Sequence, residues 1–254
     1  MKQKPKKNTV ANKIKGPVKK PITKITVESK TLLSFVNAIL TVGDQARLEI
    51  IDKTLHVNKV DNANVLLLVA DCECTPEIPE NGLKRFGIDI LVLKKALRYS
   101  KDCRITLCID GKNLSVSYGR FSARIPLVDE ILMRKDPGEI KVELETEFEM
   151  PGKYLYDAST IISKNGKCYI YAKNGVAFVA AEEGDLCIRE VVGTCDKSSQ
   201  ARSLFSNDYI RDVANIVKTT EIKVRISIDH PVQIMAEQHG CKFNFLMAPR
   251  IEAD

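Results

Sequence analysis

The sequence predicts an α+β fold built from two topologically similar domains. Four amphipathic segments predict helices at residues 30–43, 88–100, 152–163 and 206–219, and each is followed by about three alternating segments typical of strands. The similar spacing of the helices indicates an internal structural duplication, with two helices in each domain. A chain of 254 residues also favours two domains.

The first domain is predicted at residues 22–125. Its first helix follows a strand at 22–29, and its apolar side carries Leu32, Leu33, Phe35, Val36, Ile39 and Leu40. The strands that follow the two helices are predicted at 46–51, 54–60, 65–74, 103–111, 113–120 and 121–127. The sequence Asp-Gly-Lys-Asn at 110–113 provides the turn of a hairpin.

The second domain is predicted at residues 142–254, and it repeats the plan. Its strands are predicted at 141–150, 168–173, 175–182, 186–192, 221–229, 232–238 and 242–248. Residues 126–141, called the connector below, join the two domains. Pro126, Pro137 and Gly138 interrupt periodicity there, but Leu127, Val128, Ile131, Leu132 and Met133 keep the connector apolar. A connector of this composition requires a surface to pack against.

The charge of the chain is unevenly distributed. Residues 1–24 contain nine lysines and no acid, so the remaining 30 basic residues stand against all 33 acidic residues, a net charge of −3. Because a Lys/Pro-rich segment cannot bury enough apolar surface to offset its ordering entropy, residues 1–21 are predicted to be a disordered basic arm. Such an arm either contacts nucleic-acid phosphates without sequence preference or only improves solubility.

Composition and motifs argue against an enzyme, a metalloprotein and a membrane protein. The eight cysteines include no CxxC pair and predict reduced thiols. His239 and Cys241 lack the further ligands of a zinc site, His56 and His230 stand alone, and no Gly-rich phosphate loop is present. We expect no catalytic residue, no metal, no cofactor and no membrane span, and an intracellular location.

Basic residues concentrate on helix faces that point away from the predicted core. The second helix presents Lys94, Arg98 and Lys101 at helical spacing, with Lys95 beside them. The third and fourth helices add mixed stripes with Lys153, Lys164, Arg211 and Lys218, and the first has Lys30, Ser34, Asn37 and Thr41. One such stripe is usually a solvated surface, but four in a repeated architecture favour a function.

Residues 22–254 resemble the sliding-clamp family of proliferating cell nuclear antigen, in its archaeal form. The most specific stretches are QARSLFSNDYIRDV at 200–213, IDHPVQI at 228–234 and LMAPRIEAD at 246–254, supported by FGIDI at 86–90 and RKDP at 134–137. The resemblance implies two clamp domains per chain and three chains closed into a ring. Helices would line the hole, antiparallel sheets would lie outside, and duplex DNA would pass through.

The resemblance also implies which residues face DNA. They are Lys94, Lys95, Arg98, Lys101, Lys153, Lys164, Arg211 and Lys218. The third helix departs from the family, because Asp157 and Thr160 occupy positions where basic residues are common. Positive charge in the hole is therefore expected mainly on the second helix.

Partner proteins of the family insert a short hydrophobic motif beneath the connector. The resemblance assigns this pocket to Val60, Asn64, Leu67, Leu127, Val128, Leu132, Pro231, Leu246, Ala248 and Pro249. Pro249 would stop strand pairing, so that the backbone of 248–251 could receive the partner's extended chain. Asn64 and Leu246 depart from the eukaryotic form, which has histidine and tyrosine. The implied partners are polymerase, clamp loader, flap nuclease and DNA ligase.

Edge strands are expected to form the contacts between subunits. The family pairs one edge of each domain, which here predicts Asn113–Arg120 and Asp185–Val192. A homotrimer is expected, and a heterotrimer with a paralogous chain stays open. The alternatives are a specialised clamp subunit, paralogous or of viral or plasmid origin, and a basic protein that coats DNA without enclosing it.

Overall fold

The computed structural model describes residues 22–138 and 140–251. It confirms the α+β fold, with seventeen strands and four α-helices in the described ranges. The predicted basic arm at residues 1–21 lies outside the described residues. No helix of the described part is long and apolar enough to cross a membrane.

The chain repeats a unit of one strand, one helix and three strands. The first unit is β1 (Thr23–Glu28), α1 (Ser29–Ile39), β2 (Gln45–Ile51), β3 (Thr54–Val60) and β4 (Leu66–Glu73), followed by the short β5 (Thr75–Glu77). The second is β6 (Arg85–Asp89), α2 (Ile90–Ala96), β7 (Arg104–Ile109), β8 (Asn113–Tyr118) and β9 (Phe121–Pro126). A 3-10 helix at Glu130–Leu132 lies in the connector.

The second half continues the same unit. The third unit is β10 (Thr146–Pro151), α3 (Gly152–Ile161), β11 (Lys167–Lys173), β12 (Val176–Glu183) and β13 (Leu186–Thr194). The fourth is β14 (Ala201–Ser206), α4 (Asn207–Val217), β15 (Glu221–Ile226), β16 (Val232–Gln238) and β17 (Cys241–Met247). The domain boundaries inferred from the sequence stay a prediction.

The strands β5, β6 and β14 were absent from the sequence prediction. In β14 the polar Ser203 is buried beside Leu204, which disturbs the alternation expected of a strand. Its burial is tolerated because its hydroxyl donates toward the carbonyls of Ser227 and His230, at 3.1 and 2.9 Å. Such tertiary partners cannot be read from the local pattern.

The second helix is shorter than predicted. It ends at Ala96 rather than continuing to residue 100, so Arg98 and Lys101 lie in the turns that follow it. The main chain and hydroxyl of Ser100 both donate to the Leu97 carbonyl, at 3.1 and 2.8 Å. These short-range bonds replace the α-helical pattern. The four cations therefore do not form the helical stripe predicted for residues 94–101.

One antiparallel sheet of eight strands joins the two halves of the chain. Its order is β10-β15-β16-β17-β4-β3-β2-β6, so the C-terminal strand β17 pairs directly with β4 of the first domain. The inward side chains of β17 are Phe243, Phe245 and Met247, and all three are buried. At roughly 1.5–3 kcal/mol for each large side chain, this strand contributes strongly to the common core.

Each of the two remaining sheets has two terminal strands, and within the described residues each terminal strand has one edge outside the sheet pairing. Their orders are β5-β1-β7-β8-β9 and β13-β12-β11-β14. The predicted first-domain edge at 113–120 is wrong, because β8 lies between β7 and β9, and β9 is the edge strand. The predicted edge at 185–192 falls on β13, which does terminate its sheet. The sequence pattern identified strands but not their lateral order.

The four helices pack side by side in the order α3, α4, α1, α2. At Gly152 the start of α3 passes the end of α4 so closely that an added Cβ would lie 2.1 Å from the Val217 carbonyl oxygen. The side-chain amide of Asn207 donates to the carbonyls of Ser159 and Ser163, each at 2.8 Å, which links α4 to the end of α3. The result is a helical layer that runs across both domains.

All eight cysteines are free thiols, as predicted. His239 and Gly240 have φ values of 51° and 70° and form the turn between β16 and β17, in agreement with the turn interpretation of this stretch. No cluster of metal-ligating side chains occurs in residues 22–138 and 140–251.

Candidate nucleic-acid face and partner groove

The helical layer presents a polar surface where three helices meet. A depression of about 570 Å³ is lined by residues in or just beyond three helices: Lys94 at α2, Asp212, Asn215 and Lys218 at α4, and Ser34, Asn37 and Thr41 at α1. The structure therefore brings two of the predicted DNA-facing cations together with the polar side of the first helix. Hydroxyl, amide and ammonium groups of this kind can contact phosphates without reading bases.

The four cations at and beyond α2 are exposed. In the described part of the chain, no carboxylate lies within 4.0 Å of the charged groups of Lys94, Lys95, Arg98 or Lys101. The Arg98 guanidinium lies 5.6 Å from the centroid of the Tyr99 ring. These cations are available to an external anion.

Three of the four cations in or just beyond α3 and α4 are engaged within the chain. Lys153 pairs with Asp157, and the hydrogen bond and charge of that carboxylate raise the lysine pKa. Arg211 donates to the Thr160 carbonyl at 3.2 Å, and the Lys218 ammonium lies 4.7 Å from the Tyr156 ring centroid. Lys164 is exposed, and its charge acts on Asp212 of α4. The DNA role of all eight residues stays a prediction.

On the opposite face of the molecule, three predicted pocket residues form one row. Val60 of β3 stands opposite Leu67 of β4, and Leu67 stands opposite Leu246 of β17. Directly opposed residues of antiparallel strands project to the same side of a sheet. The strand register thus builds an apolar row from both domains on the outer face of the central sheet.

Two cavities lie between this row and the connector. One of about 400 Å³ is lined by Leu67 and Leu246 and closed by Ile140, Val142 and Leu144. The other, of about 410 Å³, contains Val60 and Leu132 together with charged residues of the connector. The two cavities share no lining residue, and both lie under the connector; together they are called the groove below.

Leu127 and Val128 lie at the other end of the connector. They line a separate cavity of about 500 Å³ beside β6. The main chain of Val128 bonds to the Gly87 carbonyl at 2.9 Å, and Leu127 packs against the hydrophobic core. The structure therefore does not unite these two residues with Leu67 and Leu246 in one cavity.

The C-terminal segment is partly bonded, which corrects the expectation of a freed backbone at 248–251. The amide of Ala248 donates to the Val65 carbonyl at 2.8 Å, and the amide of Arg250 donates to the Leu204 carbonyl at 2.7 Å. The first bond places Ala248 beside the β3–β4 turn, and the second holds Arg250 beside β14. A partner backbone has to use other groups of this segment.

The β3–β4 turn links the parts of the groove. Arg134 of the connector donates to the Asp61 carbonyl at 3.0 Å and to the side chain of Asn64. Asn64 is exposed, with a φ of 60°. Pro231 is half-buried and lines none of the three connector cavities.

Asp61 is the charged centre of this turn and was not among the predicted site residues. Burial by itself raises its pKa, but hydrogen bonds from Leu66, from the Tyr209 hydroxyl, and from Val65 and Ala63 hold the pKa below its ordinary value of 3.8. Burial and the Asp61 carboxylate raise the pKa of Tyr209 to about 12. Because Tyr209 belongs to α4, this 2.8 Å hydrogen bond joins the helical layer to the groove side.

Arg47 was also missed, because an arginine in an alternating strand indicates only a solvent-facing position. Its guanidinium instead lies beneath the connector, bonded to Glu130 at 2.9 Å and to Asp136 at 2.8 Å. Nothing in the sequence Arg-Lys-Asp-Pro at 134–137 predicted that this stretch would contact Arg47.

The repeated units, the shared central sheet and the single layer of helices define a two-domain, clamp-type fold. In sequence the chain resembles the archaeal DNA polymerase sliding clamps. The clamp of Methanocorpusculum labreanum is 29% identical over 248 residues, covering 91% of this chain and 99% of the relative. The clamp of Archaeoglobus fulgidus is 23% identical over 249 residues, with the same coverage. No family model matches the chain.

Solved structures show the same fold. The PCNA of A. fulgidus, solved with the C-terminal region of FEN-1 bound, superimposes with a TM-score of 0.83 at 22% identity, covering 91% of this chain and all of that chain. A chain of the PCNA2–PCNA3 complex from Sulfolobus tokodaii gives a TM-score of 0.76 at 13% identity, covering 90% of this chain.

Proposed function

We propose that the chain is a DNA sliding clamp, a polymerase processivity factor that encircles duplex DNA as a trimeric ring. The observation that carries the proposal is the similarity to archaeal sliding clamps along nearly the whole chain, on a fold whose four helices form one layer. The clamp tethers replication and repair proteins and catalyses no reaction itself. In an archaeon it acts at the nucleoid in the cytoplasm, and in a eukaryote it would act in the nucleus.

The helical layer suits DNA that has to slide. Contacts to base edges would hold the ring at particular sequences, whereas phosphate contacts are independent of sequence. The exposed cations at the end of α2 and the polar groups of α1 supply such contacts. Charge pairing on α3 keeps the net positive charge modest, which favours movement over tight binding.

Ring closure uses the free edges of β9 and β13. Each strand ends a sheet, and a contact between two different edges is head-to-tail, so it can close into a ring. The β13 edge bears the exposed apolar side chains of Leu186 and Val191. These are the features that another copy of the chain would cover in a homotrimer.

Partners are proposed to dock in the groove beneath the connector through short hydrophobic motifs. The A. fulgidus relative was solved with the C-terminal region of FEN-1 bound, which supports a flap nuclease as one partner class. Replicative polymerase, clamp loader and DNA ligase are proposed to share the site. In the apolar row, Val60 and Leu246 are half-buried and supply accessible surface for such a motif, and the buried Leu67 lies between them.

Light scattering tests the ring, and a replication assay tests its function. We expect a particle of three times 28.4 kDa and stimulation of polymerase on primed circular DNA after loading. A monomer or dimer that binds short linear DNA directly would instead favour the DNA-coating alternative.

Replacing Lys94, Lys95 and Arg98 together by alanine is expected to weaken polymerase stimulation and reduce its salt dependence, because phosphate contacts release counterions. Trimer size should not change. The comparison is polymerase stimulation across a salt series. The control is the triple variant Lys53→Ala, Lys223→Ala and Lys242→Ala, whose residues lie outside both the helical layer and the connector. Undiminished stimulation of the α2 variant at every salt concentration would contradict the assignment.

Deleting residues 1–21 is expected to leave folding and trimerisation intact, because this segment has no periodic apolar face. Contact with DNA is expected to weaken. Light scattering and a salt-dependent DNA-binding measurement on the shortened chain check the two halves separately, and loss of the trimer would contradict the first.

A further inference from the structure

Arg47 occupies an outward position of β2 and is nevertheless buried. Its neighbours Ala46 and Leu48 are also buried, and the Arg47 side chain is only 6% exposed. Alternation along a strand would place it in solvent on the outer face of the sheet. It is covered because the connector crosses over it.

The contacts of the Arg47 guanidinium all reach one short stretch of the connector. Nε donates to the Glu130 carboxylate at 2.9 Å, and Nη2 donates to the Glu130 carbonyl at 3.0 Å. Nη1 contacts the Asp136 carboxylate at 2.8 Å and the Arg134 carbonyl at 3.4 Å. A planar guanidinium with several fixed donors can hold a loop in one shape, as a flexible ammonium cannot.

Arg85 completes a network of two arginines and two carboxylates. Located on the adjacent β6, it lies 3.1 Å from Glu130 and 3.1 Å from Asp136. Arg85 is about half exposed, whereas Arg47 is almost fully enclosed. Since solvent screens the outer pair more strongly, Arg47 carries most of the constraint.

Ile131 and Leu132 lie between the connector residues that bond to Arg47, and their side chains bury little apolar surface that could fix the local conformation. Ile131 and Leu132 are 88% and 83% exposed. A segment with so few buried contacts opens readily unless polar bonds hold it. Here the bonds at residues 130, 134 and 136 bracket the two apolar side chains, of which Leu132 lines the cavity that also contains Val60.

We propose that Arg47 is a positioning residue that presets the connector for the hydrophobic motif of a partner protein; this rests on the proposed partner groove. Arg47 does not touch the partner. It acts by holding residues 130–136 in place before the partner arrives, so that the partner does not have to order them on binding. Without it, the same contacts form from a more variable connector and the complex is weaker.

The test compares Arg47→Met, Arg47→Lys and the control Arg225→Met in the full chain. Arg225 is an arginine on the same central sheet that pairs with Glu147 at 3.2 Å, away from the connector. Hydrogen exchange of the free protein reports on residues 128–138. Titration calorimetry with a peptide that carries two aromatic residues and an aliphatic anchor measures the affinity.

Arg47→Met is expected to speed exchange in residues 128–138 while exchange in β15–β17 is unchanged. Peptide affinity should fall on the order of tenfold, since the ordering cost now accompanies binding. Arg47→Lys should recover part of both effects, and Arg225→Met should show neither. If Arg47→Met does not fold, Glu130→Gln provides the same comparison with Arg47 retained.

Unchanged exchange in Arg47→Met would overturn the role of Arg47, and so would faster exchange with unaltered peptide affinity. A wild-type chain that binds no such peptide would instead contradict the proposed partner groove. Hydrogen exchange of the free protein does not depend on the peptide, so it tests the role of Arg47 even if the proposed partner groove is wrong.

Discussion

Replacing Asp61 by alanine is expected to lower the free energy of unfolding by about 3 kcal/mol at neutral pH. The carboxylate accepts hydrogen bonds from the amides of Ala63, Val65 and Leu66, at 3.1, 2.8 and 2.9 Å, and from Tyr209. Removing a charged acceptor leaves the buried Leu66 amide and the part-buried Ala63 and Val65 amides without this partner, which costs more than the bonds contribute. Denaturant unfolding measures the change.

Two further variants separate the contributions to this loss. Tyr209→Phe removes only the hydrogen bond between α4 and the turn and should cost about 1 kcal/mol. Asp110→Ala is the control, because Asp110 also accepts two backbone amides, at 3.1 and 2.9 Å, and pairs with Arg124 at 2.8 Å, but in an exposed hairpin. Water can replace those bonds, so the control should lose clearly less stability. Equal losses in Asp61→Ala and Asp110→Ala would contradict the importance of the buried turn.

The Asp61 effect should also depend on pH in a defined direction. Its pKa in the folded chain is below 3.8. A carboxylate with a lowered folded pKa contributes stability above its unfolded pKa and loses it as pH falls through the folded value. The difference between wild type and Asp61→Ala should therefore be constant near neutral pH and shrink below pH 3.8. A difference that grows on acidification would contradict this.

Replacing Leu132 by alanine is expected to weaken binding of the hydrophobic partner peptide by up to about a hundredfold. Burial of a leucine side chain contributes roughly 1.5–3 kcal/mol, and 1.4 kcal/mol corresponds to a factor of ten. Because Leu132 is 83% exposed in the free chain, its removal should hardly affect folding or the trimer. Titration calorimetry and light scattering on the same variant check both statements.

Leu127→Ala makes a useful comparison, because Leu127 packs against the core and lines a different cavity. The Leu127→Ala variant should have a lower free energy of unfolding, in addition to any loss of peptide affinity. Ile51→Ala is the control for a general apolar effect, since Ile51 is exposed and lines none of the three connector cavities. Unchanged affinity in both connector variants would mean that the connector serves packing alone.

The sequence predicted the packing of the C-terminal strand β17 only in part. The alternation of Phe243, Phe245 and Met247 predicted an inward apolar face for β17, and these side chains are buried. The sequence could not name the partner strand. That strand is β4, about 170 positions away, and its register places Leu67 opposite Leu246. The apolar row of the groove exists only through this long-range pairing.

The sequence by itself predicted the four helices of the helical layer and the strands that follow each of them, but it missed β6, β14 and the end of α2. Hydrophobic periodicity involves residues that are close together in the sequence, so it can be recognised without the tertiary structure. Only the tertiary structure decided that β9 rather than β8 is an edge, that Asp61 bonds Tyr209, and that Arg47 lies under the connector. Strand order and buried polar contacts join residues far apart in the chain, and their partners are fixed by the geometry of packing rather than by any neighbour in sequence.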